Sequence, residues 1–537
     1  MRIEHLRVEN HWGIPDLAVE VRGHLVLVGP NDAGKSSLLR LLDAVMSAGT
    51  SRLHSLLTTE ILRDSDAPLV VELVLTEPDD AQKSALADEL ETIDGDHRLR
   101  LRLEAAFDTA ADEMAIERHV VKPGLVVPAS AAKLSHLGWT YLPSSRSPDR
   151  ELGNGRASAV RELLGGTDLG DSAADIEAAI AQLHAVVAEV PSLVEVREEL
   201  AAALDDLLPR PINVDDIRLR LPSADEADPL ADVDVQLTDG PRSRSLRQQS
   251  DGMRAMSTVA LQLLTRSTAK IIAVDEPETH LHPLAQRRMA RMLGTRTHQA
   301  IVATHSSAVL TQFDPMDVVA LAGTGHRQLG LEPFAQDPQA ASSWWTSPAL
   351  EPLTANAVIF VEGKTDVTIV ESVAQRLGYD LDRLGIAVAQ VDGSGGFKMA
   401  LRLFGPGGFA VPYAGLVDKA EASDVAGYLE VDEADITNFG FSICDADLEA
   451  ECVRALGPQR HAELLCNSGY FAPAQICSAN DVQDFQELTE GGYTDWCRKK
   501  KKALVAAALA DTMTPEEVAT ILPVVETVEA AVRAVRP

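Results

Sequence analysis

The sequence predicts an α/β protein with at least two domains in succession, each opened by a strand, a loop and a helix. An apolar run over residues 24–28 leads into a glycine-bearing loop and then into residues 37–45, whose apolar side chains recur at helical spacing. A second strand–loop–helix pattern opens at residue 357. A chain of 537 residues is too long for one ordinary core, so roughly two to four domains are expected.

The loop after residue 28 has the pattern of a phosphate-binding loop. It places Gly-x4-Gly-Lys-Ser between a predicted strand and a predicted helix. The glycines let successive backbone N–H groups point at one anion, and the helix N-terminus adds its dipole. We expect Lys35 to reach the β- and γ-phosphates of ATP and the Ser36 hydroxyl to bind Mg²⁺. The expected nucleotide contacts in this loop are Gly29, Asn31, Gly34, Lys35, Ser36 and Ser37.

Composition limits the classes of partner. The chain has 48 basic and 81 acidic residues, for a net charge of −33. This balance disfavours attraction of the whole surface to nucleic acid or anionic lipid, although DNA in a local basic groove remains compatible with it. No apolar run reaches the ~18 residues of a membrane span. The five cysteines form no Cys-x-x-Cys pair, which disfavours zinc and favours reduced thiols, so we expect a cytoplasmic protein without a membrane partner.

The region before and after the loop alternates as strands of an ATPase sheet. Strands are predicted over residues 3–8, 16–21, 68–76 and 98–107, with a polar helical piece near 79–91. A buried strand over 137–143 leads into a loop that carries Arg146 and Arg150. These arginines either meet a phosphate or an interface carboxylate, or are solvated surface residues.

An acidic helical pattern over residues 173–207 separates the two halves of the nucleotide-binding region. Apolar residues recur at helical spacing at Ile176, Ile180, Leu183, Val186 and Val187. The segment is either an insertion that packs against a partner helix, as a dimerisation arm would, or an ordinary covering helix. We place the ATPase domain at residues 1–155 and 241–335, the helical insertion at 156–240 and the second domain at 350–537.

The second half of the nucleotide region supplies acidic and signature residues. Ser250 and Gly252 open a helix ahead of a buried strand, the position from which an opposing subunit's γ-phosphate is contacted in ABC-type ATPases. The strand over 271–274 ends in Asp275 and Glu276, which we expect to hold Mg²⁺ and to polarise the attacking water. His305 follows the next strand, where a γ-phosphate sensor is expected.

These motifs, with Glu276-Pro277-Glu278-Thr279-His280-Leu281-His282-Pro283, resemble the SMC-like branch of the ABC ATPases. The resemblance implies ATP hydrolysis between two heads, and therefore a homodimer or a higher homo-oligomer. A transporter ATPase is disfavoured, because the chain continues into a different domain.

Acidic residues mark the strand ends of the second domain. The strand over 357–361 ends in Glu362 and is followed by Asp366 about one helical turn further on. Strands over 386–391 and 413–417 follow, and the second of them ends in Asp418, with Glu421 nearby. Parallel strands gather their carboxyl ends at one edge, so these oxygens suit Mg²⁺ or Mn²⁺.

This arrangement resembles a Toprim domain, in which Glu362 matches the general acid/base or metal-binding glutamate and Asp418 the first aspartate of Asp-x-Asp. Ala420 stands at the second aspartate, so either Glu421 or Asp424 would have to complete the site. An SMC-like head followed by a Toprim domain resembles the OLD (overcoming lysogenization defect) nucleases, including Gabija-type anti-phage nucleases. The resemblance implies that Asp447 and Glu449 supply a second metal site. It also implies a catalytic lysine among residues 499–502, which we assign to Lys502.

The expected function is an ATP-controlled, metal-dependent DNA endonuclease that acts by phosphodiester hydrolysis. A defence role rests on family analogy alone. A helicase-like or effector partner protein is also compatible with the layout. The alternative from another class is an ATP-dependent scaffold or switch whose inactive Toprim domain recruits a separate effector, and the altered Asp-x-Asp motif favours it.

Overall fold

The computed structural model describes residues 1–93, 95–109, 111–144, 182, 185–187, 189–220, 234–239, 242–265, 270–296, 299–322, 325–330, 345 and 351–535. Arg146, Arg150, Ile176, Ile180 and Leu183 lie outside this set. The chain forms two compact units, one of Met1–Leu27 with Gly34–Asp317 and one of Val28–Ala33 with Val318–Pro537. The division after Asp317 comes before residue 335, where we placed the end of the ATPase domain.

An antiparallel sheet occupies the start of the first unit. Its strands pair in the order β2-β1-β4-β6-β7-β8, with β5 on β6. Strands with alternating apolar residues form here because one face packs on the core and the other meets solvent. The strand predictions at residues 3–8, 16–21, 68–76 and 98–107 are confirmed. The strands are β1 (Arg2–Glu9), β2 (Leu17–Glu20), β4 (Leu69–Thr76), β5 (Glu91–Ile93), β6 (Asp96–Asp108), β7 (Glu113–Lys122) and β8 (Leu125–Pro128).

Parallel strands carry the nucleotide motifs of the first unit. In the order β9-β13-β14-β3, the strands are β9 (Trp139–Leu142), β13 (Ile271–Asp275), β14 (Gln299–Ala303) and β3 (Leu25–Val28). Every residue of β3, β13 and β14 is buried, as expected for parallel strands covered on both faces. Their carboxyl ends share one edge, which brings together the residues that follow each strand.

One helix of the first unit, α5, packs over two other helices. The helix α5 packs against α6 and α7 through buried residues such as Leu200, Leu204 and Leu207. Its described part therefore has the covering role that the sequence left open. The helices are α1 (Lys35–Ser47), α2 (Thr50–Leu56), α3 (Asp80–Ala85), α4 (Ala131–Leu134), α5 (Pro191–Leu207), α6 (Asp251–Thr265), α7 (Pro283–Arg296) and α8 (Ser307–Leu310).

The expectation of a helical insertion over residues 156–240 is wrong beyond α5. A small antiparallel sheet follows it, made of β10 (Ile217–Arg220), β11 (Asp234–Asp239) and β12 (Arg242–Ser245). Ile217 and Leu237 pair across β10 and β11 and are both buried. Apolar residues occupy alternate positions of β10 and β11, which is the pattern of half-buried strands. The helical pattern of the preceding segment does not continue into them.

A parallel sheet forms the centre of the second unit. Its strands run in the order β18 (Ile386–Gln390), β17 (Ala357–Val361), β19 (Tyr413–Asp418) and β20 (Phe441–Cys444). The three strands predicted from the sequence are confirmed, and β20 adds a fourth beside β19. Gly415 permits the close approach of the Phe441 ring, because a Cβ there would lie 2.0 Å from a ring carbon. The strands β15 (Val318–Ala322) and β16 (Gly325–Gln328) pair antiparallel.

Helices cover the parallel sheet and complete its core. The last helix, α19, packs against β17, β19 and β20 through Val524, Val528 and Ala531, all fully buried. The helices of this unit are α9 (Lys364–Arg376), α10 (Leu381–Leu384), α11 (Ser394–Phe404), α12 (Ala422–Leu429), α13 (Leu448–Leu456), α14 (Pro458–Asn467), α15 (Pro473–Asn480), α16 (Glu490–Lys500), α17 (Lys502–Thr512), α18 (Pro515–Val518) and α19 (Leu522–Val535).

Within the described ranges, no helix combines the length and apolar character that crossing a membrane requires.

Candidate functional sites in the two units

The phosphate loop follows β3 and ends at the first residue of α1. Gly34 has a φ of 91°, and a Cβ at this position would lie 2.3 Å from the carbonyl oxygen of Gly13. Gly29 has a φ of 143°, and a Cβ there would lie 2.2 Å from the carbonyl oxygen of Leu321. Both glycines are therefore required by backbone conformation and by close approach. Asn31 is exposed and Ser37 is half-buried in the first turn of α1.

The loop serine meets the acidic residue of β13. The Ser36 hydroxyl donates a hydrogen bond of 2.8 Å to Asp275 Oδ1, and Asp275 is only 1% exposed. Lys35, the residue before, is also buried and carries the positive charge of this region. A hydroxyl and a carboxylate in contact are hard oxygen ligands, so this pair fits the Mg²⁺ of a bound nucleotide.

The second acidic residue lies beside the predicted sensor histidine. Glu276 Oε1 is 3.9 Å from His305 Nε2, and Glu276 has a φ of 46°, an uncommon conformation for a residue with a side chain. Burial, followed by the nearby charge of Lys35, lowers the pKa of His305. The imidazole is therefore neutral near pH 7, and it can accept or donate one hydrogen bond.

Glu278 holds the backbone of the histidine and was not singled out from the sequence. The His305 N–H donates a hydrogen bond of 2.7 Å to Glu278 Oε1. Burial raises the pKa of Glu278, and the same backbone hydrogen bond opposes that shift. The signal was present in the Glu-Pro-Glu spacing, because the second glutamate lies two residues after Glu276. It acts on the position of His305 rather than on a phosphate.

The signature residues lie at the start of α6. Ser250 is exposed just before the helix, and the Cβ position of Gly252 is 3.1 Å from the carbonyl oxygen of His280. A larger residue at 252 would push against the loop that follows Glu276. An exposed serine at a helix start is available to a second copy of the chain, which is where the sequence analysis expected it to act.

Three carboxylates converge in the second unit. Glu362 follows β17, Asp418 ends β19, and Glu421 precedes α12. One oxygen from each residue lies within 4.8 Å of the oxygens of the other two. All three side chains are half-buried. Of the two residues that the sequence left open as the third member, the structure brings Glu421 to the group.

Burial and mutual repulsion make it unfavourable for all three carboxylates to be ionised together. Burial, followed by the negative charges of Glu362, Asp366 and Asp447, raises the pKa of Asp418 to about 8. Burial and the charge of Glu362 also raise the pKa of Glu421, whose Oε2 atom is buried and accepts no hydrogen bond from the described residues. Clustered carboxylates with raised pKa values fit a divalent cation, which would supply the missing positive charge.

Asp366 is held by its own helix. Its Oδ2 atom accepts a hydrogen bond of 2.8 Å from the Gly363 N–H, and its Oδ1 atom accepts one of 3.2 Å from the Thr365 hydroxyl. Asp366 is 7% exposed and contributes negative charge to Asp418. These hydrogen bonds tie Asp366 to the turn that follows Glu362, and Asp366 is not one of the three converging carboxylates.

Two further acidic residues are paired with cations. Asp447 Oδ2 accepts a hydrogen bond of 2.5 Å from Arg498 Nε, and its Oδ1 atom caps α13 through the Ala450 N–H at 2.9 Å. Glu449 is 8% exposed, and its Oε2 atom is 3.1 Å from Lys502 Nζ. Arg498 begins a basic run over residues 498–502, and its pairing with Asp447 is a contact that the sequence does not predict.

The structure distinguishes the lysines of the basic run. Lys502 faces the carboxylates, because its charge acts on both Glu449 and Asp418. Lys499 Nζ instead lies 3.5 Å from Asp495, and Lys501 Nζ lies 5.0 Å above the Phe471 ring. The side chain of Lys500 lies outside the described residues. Lys502 is thus the described lysine of this run that reaches the acidic group.

Family comparisons cover both units. A family model for an AAA domain, whose description names the AbiEii toxin of a type IV toxin–antitoxin system, matches residues 25–311, more than half of the chain. The model described as the TOPRIM domain of overcoming-lysogenization-defect-like proteins matches residues 353–419. Among curated proteins, none matches this chain significantly.

Solved structures provide partial similarities. The C-terminal region of the OLD protein of Xanthomonas campestris pv. campestris is 25% identical, covering 35% of this chain and 96% of its own, with a TM-score of 0.29. The C-terminal region of the Burkholderia pseudomallei OLD protein is 24% identical, covering 34% and 98%, with a TM-score of 0.28. The SMC head domain from Thermotoga maritima is 16% identical, covering 61% and 97%, with a TM-score of 0.31.

The two family matches carry the assignment, and they confirm the expected fold class of an α/β ATPase domain followed by a Toprim domain. The chain belongs to the AAA domain family, whose model matches more than half of it, and residues 353–419 match the TOPRIM domain of overcoming-lysogenization-defect-like proteins.

Proposed function

We propose that the protein is an ATP-hydrolysing, divalent-metal-dependent DNA endonuclease. The observation that carries the proposal is the convergence of Glu362, Asp418 and Glu421 within 4.8 Å at the carboxyl edge of a parallel sheet. Open α/β sheets bind ligands at this edge. The ATPase domain would control cleavage. Comparing cleavage with and without ATP tests whether ATP activates or inhibits it.

At the nucleotide site, the chain's own residues bind the phosphates and prepare the water. Lys35 and the N–H groups at the start of α1 bind phosphate oxygens, and Ser36 with Asp275 would hold Mg²⁺, which neutralises phosphate charge when bound. Glu276 accepts a proton from the attacking water. His305 is neutral near pH 7, so it can donate a hydrogen bond to the γ-phosphate while Glu278 holds its backbone.

At the Toprim site, the carboxylate group would hold Mg²⁺ or Mn²⁺, which supplies electrophilic activation of the scissile phosphodiester when bound. Lys502 places a positive charge next to the group, where it stabilises the charge that develops on the phosphate. Asp447 and Glu449 would have to release Arg498 and Lys502 before they could bind a second cation. We therefore assign the first cation to Glu362, Asp418 and Glu421.

The test is plasmid cleavage with Mg²⁺ or Mn²⁺, with and without ATP. Wild type is expected to nick or linearise supercoiled DNA, and Glu362→Gln is expected to lower the rate by about 100-fold or more, the range for loss of an acid/base group. Glu421→Ala should lose activity with either metal, whereas Asp424→Ala should keep it. Glu529→Gln, an exposed glutamate of α19, is the matched control and should cleave like wild type.

The scaffold alternative predicts a different set of results. Wild type would bind ATP and cut no plasmid with either metal, under any nucleotide condition. Full activity of Glu362→Gln would also remove the Toprim site from the chemistry, because cleavage would then come from elsewhere.

We further propose that two copies assemble through their ATPase domains, with Ser250 of one copy completing the nucleotide site of the other. The support is the exposed position of Ser250 at a helix start, together with the family assignment. Analytical ultracentrifugation of Glu276→Gln with ATP should then show a dimer that Ser250→Arg abolishes. A role in defence against phage is an extension of the family assignment, and plaque counts on cells with and without the wild-type protein test it.

A further inference from the structure

One glutamine of the first unit has no role in the chemistry described above, yet it bonds to two segments that carry residues of that chemistry. Gln286 is half-buried in the first turn of α7. A glutamine side chain ends in an amide, which donates through its nitrogen and accepts through its oxygen. Both ends are used, and each bonds to a different segment of the unit. The amide therefore fixes the separation of those two segments.

The nitrogen end holds the segment that follows Glu276. Gln286 Nε2 donates a hydrogen bond of 2.7 Å to the Leu281 carbonyl oxygen. Two successive turns join Leu281 back to Glu276. In the first, the Leu281 N–H donates to the Glu278 carbonyl oxygen at 2.9 Å, and in the second, the Thr279 N–H donates to the Glu276 carbonyl oxygen at 3.1 Å. Fixing Leu281 therefore restrains the backbone that carries Glu276.

The oxygen end holds the residue after the proposed γ-phosphate sensor. The Ser306 hydroxyl donates a hydrogen bond of 2.6 Å to Gln286 Oε1. The same hydroxyl accepts one of 3.3 Å from the Val309 N–H and so caps α8. Ser306 directly follows His305, whose own N–H is held by Glu278. Gln286 and Glu278 therefore restrain the backbone on either side of the histidine.

The two restrained segments carry side chains that must act together. Glu276 Oε1 is 3.9 Å from His305 Nε2. We propose that Gln286 is a positioning residue for ATP hydrolysis, which holds these two side chains at the separation that attack on the γ-phosphate requires. The inference rests on the proposed ATP hydrolysis and adds a residue that acts through Glu276 and His305. Because a misplacement of about 1 Å can cost about 100-fold in rate, the loss of both hydrogen bonds should be visible in kcat.

The test separates hydrolysis from binding in the full-length protein. Gln286→Met keeps the length of the side chain and removes both hydrogen bonds. It should lower kcat for ATP, measured by phosphate release, by about 10- to 100-fold, while the Kd for ATP, measured by calorimetry, changes less than about twofold. The matched control is Gln312→Met, because Gln312 is also half-buried and its amide donates to the adjacent Thr311; neither value should change.

A second substitution distinguishes positioning from a general contribution to folding. In a His305→Ala background, Gln286→Met should lower kcat by less than about threefold, because there is then no second side chain whose separation from Glu276 matters. A loss of the same factor in both backgrounds would overturn the inference, since it would mean that the glutamine only stabilises the fold.

Other outcomes separate this inference from the proposed function. An unchanged kcat of Gln286→Met, in a protein whose wild type hydrolyses ATP, would overturn the inference and leave the ATPase function standing. Equal losses in kcat and in affinity would also overturn it, because the substitution would then disturb the whole nucleotide site. If wild type binds ATP and releases no phosphate, the proposed hydrolysis fails and the inference fails with it.

Discussion

The ion pair between Glu449 and Lys502 allows a prediction whose magnitude follows from burial. Glu449 is 8% exposed, whereas the lysine side chain is 44% exposed, with 3.1 Å between the charged atoms. Removing one partner of a fully buried pair costs about 3–5 kcal/mol, and an exposed pair is worth about 0–1 kcal/mol. Because the lysine is half-exposed, we expect Lys502→Met to cost an intermediate amount, about 2 kcal/mol of local stability at pH 8.

The cost of this substitution should depend on pH. Burial is the largest influence on the pKa of Glu449 and raises it, while Lys502 opposes the shift. Without the lysine, the folded-state pKa rises further above the ordinary value near 4.5. A carboxyl whose folded-state pKa is raised binds its proton more tightly when folded, so stability falls as the pH rises through that pKa. The deficit should therefore be smaller at pH 5.5 than at pH 8.

Hydrogen exchange of peptides from α13, read by mass spectrometry, measures this stability within the second unit. Lys502→Met should speed exchange by about 30-fold at pH 8, the equivalent of about 2 kcal/mol. Glu449→Gln combined with Lys502→Met should recover most of the loss, because no buried charge remains. Lys499→Met, which removes an exposed lysine, is the control and should change exchange little. A deficit that is independent of pH and persists in the double variant would refute the reasoning.

Three further predictions concern the chemistry. Glu276→Gln should lower ATP hydrolysis by about 100-fold or more while leaving the Kd for ATP within about twofold, as measured by phosphate release and calorimetry, and equal losses in both would argue against a role in activating water. The pKa of Asp418, raised to about 8, means that a cation must displace a proton at lower pH, so the Kd for Mn²⁺ should tighten from pH 6 to 8 and level off above. An affinity independent of pH would remove Asp418 from the ligands. Arg498→Ala should lower the Mg²⁺ concentration that gives half-maximal plasmid cleavage, because Asp447 would no longer have to release the arginine before it binds a second cation; an unchanged metal dependence would contradict this.

Patterns that lie within a few residues of sequence predicted the fold well. The strand, loop and helix around Lys35 and the parallel strands that end in Glu362 and Asp418 are local patterns of apolar residues, and the structure has them. The helical expectation over 156–240 failed where β10 and β11 begin. The helical expectation depended on apolar residues at helical spacing, a pattern that ends with α5. The strands that follow are short, and β10 pairs with residues that lie more than ten positions later in the sequence.

Contacts between distant residues could be predicted only as far as topology allowed. The hydrogen bond between Ser36 and Asp275 joins residues 239 positions apart. The sequence predicts that both residues serve the same Mg²⁺, because their motifs follow parallel strands of one sheet, β3 and β13, which β14 separates. The sequence could not show which of Glu421 and Asp424 joins the carboxylate group, because their positions depend on the conformation of the turn after β19. Lys502 differs from its neighbours only in facing the carboxylates, a consequence of where α17 begins.

The last helix has a consequence for how the second unit is made. The sheet strand β17 is complete about 160 residues before α19 begins, and the apolar face of the sheet is closed only when Val528 and Ala531 pack on it. At 5–20 residues per second, a ribosome leaves that face uncovered for roughly 10 to 30 s. The nascent Toprim domain is therefore a natural client for chaperones, and a stop codon shortly before residue 522 should yield an insoluble protein rather than a shortened enzyme.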